Sequence, residues 1–376
     1  MKSRALCLLL VLAASFCSEV SAQSAKKDKA PSKSEEDEVV RVETELVDVP
    51  VVVTDREGKP VLNLKQANFT VLEDGKSQEV TDFAATSAPF EVALLLDTSG
   101  STRSDLQLIQ RAAQNFIDSL RPGDRVAIIA FKTAVEDNRK TSAADVITEL
   151  TDNRAALRSA LERVSTSNGT PYYDGLTQIV DRVFGKEPKE EFRGRRALVA
   201  LTDGVDSTSA AGFDEAREGL EQAGIICYFI QVDTRPFFEE GLLGACEGAT
   251  RFSAAQIRRY YRSFGSRSNV EQTVNFCELG DFERLAISKK LYEIADIEMN
   301  SVAKKSGGKV FPAGDLGEAR NAFRSVAAEI GTKYSLGYYS SNGKRDGSYR
   351  KIRVELRGLP AGAQVRAREG YTAPVH

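Results

Sequence analysis

Short apolar runs alternate with helical patterns through the middle of the chain. Four runs consist almost wholly of aliphatic and aromatic residues, as in strands buried on both faces of a sheet. They are 91–96, 125–131, 196–202 and 225–232. Between them, apolar residues recur at helical spacing, for example from Leu106 to Leu120. Strands that alternate with helices predict an α/β domain with a doubly wound, mostly parallel sheet over residues 89–331.

The segments on both sides of this region have the sequence pattern of β-strands. In residues 39–88, an alternating β-branched stretch is followed by a hairpin turn at Glu73-Asp74-Gly75-Lys76. In residues 332–376, strands are predicted at 334–339, 350–356 and 364–368. Each segment alone is marginal in size for a core. We therefore expect the two β segments to form one small β-sandwich, into which the α/β domain is inserted.

The N-terminus has the pattern of a secretory signal peptide at residues 1–22. Lys2 and Arg4 precede the apolar run 5–16, and the small residues 20–22 predict cleavage ahead of Gln23. The run is too short for a membrane span, so we expect no transmembrane helix in the mature chain. Residues 23–38 are charged and poor in large apolar groups, which predicts a disordered linker. These features predict a periplasmic or secreted protein.

A lipid anchor at Cys17 is the alternative reading of this N-terminus. Phe16 argues against it, because a lipoprotein signal has a small residue at that position. Three cysteines remain after cleavage. Cys227 lies in an apolar run, as expected of a buried thiol. Cys246 and Cys277 bracket an irregular segment, and we expect a disulfide between them, with two free surface thiols as the alternative.

The composition of the chain excludes several kinds of ligand and catalytic site. The chain has 376 residues and a net charge of −3, which gives no general attraction to nucleic acid or to anionic membranes. Its only histidine is His376, the last residue. Nucleophilic systems of the Ser-His-Asp or Cys-His type and zinc sites built on histidine are therefore excluded.

Oxygen-bearing side chains follow the ends of the predicted strands. Asp97, Ser99 and Ser101 follow the first buried strand, Asp203 follows the third, and Thr170 precedes a helix. Ligands bind at the carboxyl ends of strands in doubly wound sheets. An all-oxygen set there suits Mg²⁺, Mn²⁺ or Ca²⁺. Each part also has a local alternative, since Ser101 and Thr170 could cap helices and Asp203-Gly204 could be only a turn.

Four blocks of the sequence resemble the successive motifs of a von Willebrand factor A domain. They are Phe90–Ser101, Asp124–Phe131, Gly169–Leu176 and Ala197–Gly204. The resemblance covers roughly 90–331, except for an insert at about 234–290, and includes the motif of a metal-ion-dependent adhesion site. The wider layout is similar to the VWFA-related family abundant in Acidobacteria.

The resemblance implies a role for each of the five site residues. Ser99, Ser101 and Thr170 would ligate the metal through their hydroxyls, and Asp97 and Asp203 would act directly or through water. The cation, in the first place Mg²⁺, would then bind an Asp or Glu of a protein partner. The resemblance thus implies a metal-dependent, adhesion-type binding module and not an enzyme.

Two other functions remain open from the sequence. One is a metal-dependent hydrolase, for which Glu136 and Asp206 are candidate bases only by their proximity in sequence. The other is a scaffold in which the ion merely stabilises the fold.

A long insert without a clean period follows the fourth strand, at about 234–290. It contains the stretch Arg258, Arg259, Tyr260, Tyr261 and Arg262. Because Tyr and Arg dominate binding hot spots, this stretch is a candidate partner surface, with a solvated helix and a few packed aromatics as the alternative. Export argues against nucleic acid as its ligand.

Overall fold

The computed structural model describes residues 46–99, 106–136, 139–246, 251–264 and 276–375, without the side chains at 136, 139 and 140. They all lie in one compact unit, Glu43–His376. The predicted signal peptide, the predicted linker and Ser101 lie outside the described residues.

Strands and helices alternate along the chain, in the order that the hydrophobic pattern predicts for its centre. The strands are β1 (Leu46–Thr54), β2 (Phe69–Glu73), β3 (Lys76–Gln78), β4 (Val80–Ala84), β5 (Glu91–Leu96), β6 (Arg125–Glu136), β7 (Arg139–Thr151), β8 (Arg196–Thr202), β9 (Ile226–Val232), β10 (Lys309–Ala313), β11 (Tyr334–Tyr339), β12 (Tyr349–Leu356), β13 (Gln364–Ala367) and β14 (Gly370–Thr372). The helices are α1 (Leu106–Ser119), α2 (Arg154–Glu162), α3 (Tyr172–Gln178), α4 (Phe213–Gln222), α5 (Arg235–Leu242), α6 (Ala254–Arg262), α7 (Asp281–Ser306) and α8 (Leu316–Ile330).

Six strands form the central sheet in the order β10-β9-β8-β5-β6-β7. All neighbours are parallel except β7, which runs antiparallel to β6 at the edge. This arrangement confirms the predicted doubly wound, mostly parallel sheet. The first part of this edge strand is polar, and it is held by pairing with β6 and by an ion pair of 2.6 Å between Lys132 and Asp145.

Helices cover both faces of the sheet. Helices α1, α2 and α8 pack on one face around Phe116 and Phe323, whose rings lie 5.2 Å apart. Helices α3 and α4 and the C-terminal part of α7 pack on the other. Strands β5 and β8 are fully buried between these layers, which explains the apolar runs 92–96 and 197–201 within them.

The two terminal β segments pair with each other. One sheet has the order β13-β1-β11-β4 and the other β14-β12-β2-β3, so each sheet contains strands from both segments. Val49, Val71 and Leu336 belong to the single core that these strands share. The segments thus form one β domain, as their small size led us to expect.

The insert is helical, although its sequence showed no clean period. It contains α5, α6 and the first half of α7, and a disulfide joins Cys246 to Cys277 as predicted, with their Cα atoms 5.2 Å apart. Helix α7 continues past the predicted end at 290. Its first half packs in the insert through Leu291, whereas its second half packs on the sheet through Met299. Its buried side includes the polar residues Arg284 and Ser288, and Phe282 and Ile297 are exposed, so the sequence shows no clean amphipathic pattern. None of the helices described is long and apolar enough to cross a membrane.

Candidate functional site

Asp97 and Asp203 follow neighbouring strands at one edge of the central sheet. Asp97 comes directly after β5, and Asp203 comes directly after β8. The two strands are parallel, and the Asp97 N–H donates to the Leu201 carbonyl at 2.9 Å. Both carboxylates are buried, with 3 % and 8 % of each residue exposed. The topology therefore brings together two acidic side chains that are 106 positions apart in the sequence.

Donors from the surrounding chain orient the Asp97 carboxylate. Its Oδ1 accepts from the Ser99 N–H at 3.0 Å, and its Oδ2 accepts from the Thr202 hydroxyl at 2.9 Å. The Thr202 hydroxyl oxygen in turn accepts from the Gly204 N–H at 2.9 Å. Thr202 thus links the loop after β8 to the carboxylate after β5.

The Asp203 carboxylate is held by a second set of donors. Its Oδ1 accepts from the Val205 N–H at 2.9 Å. This hydrogen bond closes a turn at Asp203-Gly204, which was the local alternative from the sequence. Its Oδ2 accepts from the Thr234 hydroxyl, which lies 2.8 Å from the Tyr292 hydroxyl. Tyr292 belongs to α7, so a residue of the insert supports the orientation of Asp203.

Burial of two neighbouring carboxylates raises the free energy of their charged forms. Burial raises the pKa of Asp203 to about 7, and the charge of Asp97 adds to this rise. Burial also raises the pKa of Asp97, while hydrogen bonds from Ser99 and Thr202 act in the opposite direction. No Lys or Arg among the described residues forms an ion pair with Asp203. A cation between the two groups would favour their charged forms.

Thr170 reaches the same region from the segment before α3. Its N–H donates to the Ser207 hydroxyl at 2.8 Å, and its carbonyl accepts from the Ser207 N–H at 3.0 Å. The N-cap position of α3 is occupied by Pro171 and not by Thr170, and the helix has no side-chain hydrogen bond from its N-cap residue. The capping alternative for the Thr170 hydroxyl is therefore wrong.

Asp206 caps α3 instead. Its Oδ1 accepts from the Tyr172 N–H at 3.0 Å and from the Ser209 hydroxyl. Burial raises the pKa of Asp206 to about 6, against the effect of these donors. The carboxylate is thus engaged in holding the loop after β8 against α3. The side chain of Glu136, the other candidate base, is outside the described residues.

A cavity of about 790 Å³ opens beside these residues. Ser99, Thr170 and Asp203 contribute to its lining, and so do residues of the insert. The insert contributes Phe237, Phe238, Glu240, Gly241, Arg251, Phe252, Ser253, Gln256 and Tyr292. The insert therefore forms one side of the space next to the predicted metal site.

The structure brings four of the five predicted ligands to this place, and the fifth, Ser101, lies outside the described residues. Within the described chain, no group of three or more His, Cys, Asp or Glu side chains could hold a metal. The donors present are instead two carboxylates and two hydroxyls. Hard oxygen donors of this kind fit Mg²⁺, which accepts few carboxylates and keeps water ligands. The residues therefore fit a divalent cation, although their role as ligands stays a prediction.

The five predicted partner-surface residues lie in the C-terminal half of α6, but they do not share one exposed face. Arg258 and Arg262 are exposed, whereas Tyr260 and Tyr261 are half-buried against the core of the insert. Arg259 points inward, where it pairs with Glu298 and lies over the Tyr173 ring at 4.9 Å from its centroid. This salt bridge and ring contact fix α6 to α7 and α3.

Sequence reasoning missed the residues that support the carboxylates. Thr202 had a signal, since it is a polar residue at the end of an apolar strand next to Asp203. Thr234 and Tyr292 had none, because they are 58 positions apart and meet only in the fold.

Comparisons with known proteins find similarity in the central part of the chain. Residues 92–205 match the family model of the von Willebrand factor type A domain. Protein sll0103 of Synechocystis is 32 % identical over 122 residues, which are 31 % of this chain and 25 % of that protein. The chain thus matches about a quarter of the length of this curated relative.

Several solved structures are similar at low identity. BatB from Bacteroides thetaiotaomicron is 18 % identical with a TM-score of 0.39, over 64 % of this chain and 98 % of that one. A von Willebrand factor type A protein from Catenulispora acidiphila is 13 % identical with a TM-score of 0.42, over 89 % and 74 %. Proximal thread matrix protein 1 from the mussel byssus, with a zinc-occupied metal-ion-dependent adhesion site, is 16 % identical with a TM-score of 0.42, over 69 % and 50 %.

Proposed function

We propose that the von Willebrand factor type A domain of this chain binds a protein partner through a divalent cation. In this proposal Asp97, Ser99, Thr170 and Asp203, together with Ser101, hold Mg²⁺. Bound there, the cation would supply a coordination position for an Asp or Glu side chain of the partner. The N-terminal sequence supports a periplasmic or secreted location for this binding.

One observation carries the proposal. Two buried carboxylates face the same strand-end region without a Lys or Arg partner for Asp203 among the described residues, and hydroxyl-bearing residues line the cavity beside them. Such an arrangement is unfavourable for a stable protein unless a cation offsets the two charges. Neutral hydroxyl ligands leave much of the charge of a divalent ion available to an outside carboxylate.

A non-catalytic role is part of the proposal. A general base must reach the proton that it removes, either directly or through one water. Asp206 is already engaged with the Tyr172 N–H and the Ser209 hydroxyl. No observation on the described residues favours a hydrolase over a binding module.

The first test measures Mg²⁺ binding by isothermal titration calorimetry. The wild-type protein should bind Mg²⁺, and Thr170→Ala should bind it at least about tenfold more weakly. Asp214→Asn is the matched control, because Asp214 lies on α4 with 79 % of its side chain exposed. Equal Mg²⁺ affinity in the wild type and in Thr170→Ala would refute the predicted site.

The second test concerns the partner. Immobilised protein is exposed to the native envelope fraction with Mg²⁺ or with EDTA, and Thr170→Ala is treated in parallel. We expect the captured proteins to be lost both with EDTA and with the substitution. A partner that stays bound in both cases would contradict a metal-bridged contact.

A further inference from the structure

We infer that the cavity beside the metal site is a second subsite of the same ligand site, and that it takes a large apolar side chain next to the partner's carboxylate. The occupant is then an extended protein segment that carries an Asp or Glu adjacent to a residue such as Phe. This inference rests on the proposed function, because the metal is what would hold the carboxylate.

The wall that the insert contributes is aromatic. The Phe238 ring lies 5.8 Å from the Phe252 ring and 6.4 Å from the Tyr292 ring, measured between centroids. Phe237 lines the same cavity, yet it is 61 % exposed. Phe237 does not belong to the core of the insert. A large aromatic side chain exposed beside a cavity is a typical anchor point for an apolar ligand group.

The cavity is continuous with the metal site. Ser99, Thr170 and Asp203 line it together with the aromatic residues. Tyr292 belongs to its wall and lies 2.8 Å from the Thr234 hydroxyl, which donates to Asp203. A ligand group in the cavity would therefore touch the residue that supports a predicted metal ligand.

Size and charge favour a protein segment as the occupant. A volume of about 790 Å³ is within the range of cavities that enclose whole ligands, and it exceeds what one side chain needs. The lining also includes the exposed residues Glu240 and Arg251, and neither forms an ion pair with another described residue. Aromatic residues beside a carboxylate and a guanidinium that have no ion-pair partner among the described residues match a peptide, whose apolar side chain is flanked by polar backbone and charged neighbours.

The test uses fluorescent peptides and the full chain. The peptides GGDFGG and GGFDGG place Phe on either side of Asp, GGDAGG lacks the ring, and GGNFGG lacks the carboxylate. Fluorescence anisotropy gives Kd with Mg²⁺ and with EDTA. With Mg²⁺, the better of the two Phe peptides should bind on the order of tenfold more tightly than GGDAGG, since burial of one aromatic ring is worth about that factor. GGNFGG and all EDTA samples should show no binding.

Two substitutions locate the effect. Phe237→Ser should reduce the preference for Phe over Ala to less than about twofold while Mg²⁺ binding is retained. Phe282→Ser should leave both unchanged, because Phe282 is 92 % exposed at the start of α7 and does not line the cavity. If the melting temperature changes in both variants, calorimetric titration with Mg²⁺ shows whether they still bind the metal.

The outcomes distinguish this inference from the proposed function. Equal binding of the Phe and Ala peptides with Mg²⁺, or an unchanged preference in Phe237→Ser, would overturn the subsite and leave the metal-bridged function standing. Absence of Mg²⁺-dependent binding for every peptide would overturn both. Binding of GGNFGG or binding with EDTA would overturn the joint site, because the ring would then bind without the carboxylate.

Discussion

Replacing Asp203 by Asn should stabilise the protein in the absence of metal and remove its response to Mg²⁺. The wild-type carboxylate is buried near Asp97, which raises its pKa from 3.8 to about 7. The substitution keeps the shape of the side chain. The amide oxygen can accept from the Val205 N–H, and the amide nitrogen can donate to the Thr234 hydroxyl.

The expected magnitude follows from the pKa. Each pH unit between the folded and unfolded pKa corresponds to about 1.4 kcal/mol, so the charged form of Asp203 destabilises the metal-free protein by up to ~4 kcal/mol at pH 8. The unfolded chain releases this proton near pH 4 and the folded protein near pH 7. The penalty is therefore complete above pH 7, decreases as the pH falls, and is absent below pH 4.

Differential scanning calorimetry at pH 8 provides the assay. With EDTA, Asp203→Asn should melt several degrees above the wild type, because 1 kcal/mol corresponds to roughly 2 °C in a protein of this size. Mg²⁺ at a hundred times its Kd should stabilise the wild type by about 2.7 kcal/mol and the variant hardly at all. Asp214→Asn should behave as wild type in both conditions.

Two results would refute this reasoning. A lower melting temperature of Asp203→Asn with EDTA would mean that the carboxylate is not a source of instability. An equal gain from Mg²⁺ in the variant would mean that Asp203 is not part of the cation site.

Three further predictions concern Tyr292, the disulfide of the insert, and Lys333, which is buried and donates to the Gly307 carbonyl at 2.7 Å. Tyr292→Phe should weaken Mg²⁺ binding about tenfold in calorimetric titration, since residues that support ligands commonly contribute that much, and equal affinity would refute the link through Thr234. Removing the disulfide in Cys246→Ser/Cys277→Ser should destabilise the insert by about 3–4 kcal/mol, the loss of chain entropy expected for a separation of 31 residues. Unchanged protection of the α6 amides in hydrogen exchange would contradict this prediction. Burial lowers the pKa of Lys333 from 10.5 to about 7, so between pH 7 and pH 10 only the unfolded chain binds this proton and the stability of the wild type rises with pH. Lys333→Met should remove that rise. An equal pH slope of the two proteins in urea unfolding would refute this prediction.

The strands of the central sheet could be predicted because burial on both faces leaves a direct mark on the sequence. Leu94 and Val199 lie in runs where every residue is apolar or nearly so, and their short length favours a strand over a helix. Once the order of strands and helices was clear, Asp97 and Asp203 had to lie at one edge of a parallel sheet. Thr170 was a candidate from its position before a predicted helix, and the resemblance to a known family gave it a role as a hydroxyl ligand.

Helix α7 shows where such reasoning ends. Ile287 and Leu291 pack in the insert, whereas Met299 and Val302 pack on the sheet, and all four lie on one side of the helix. Periodicity detects a helix whose apolar residues are confined to the buried side. In α7 the exposed Phe282 and Ile297 lie off that side, so the sequence pattern does not mark the helix.

The position of α7 also gives the insert a physical connection to the proposed metal site. Tyr292 lies on the half of the helix that belongs to the insert, and it contacts the hydroxyl that donates to Asp203. If an apolar group in the cavity favours this arrangement of Tyr292, it must raise the affinity for Mg²⁺ by the same factor by which Mg²⁺ raises the affinity for that group. A stretch of chain added to the end of β9 can therefore make both partner choice and metal affinity depend on one tyrosine, without any change in the strands that carry the carboxylates.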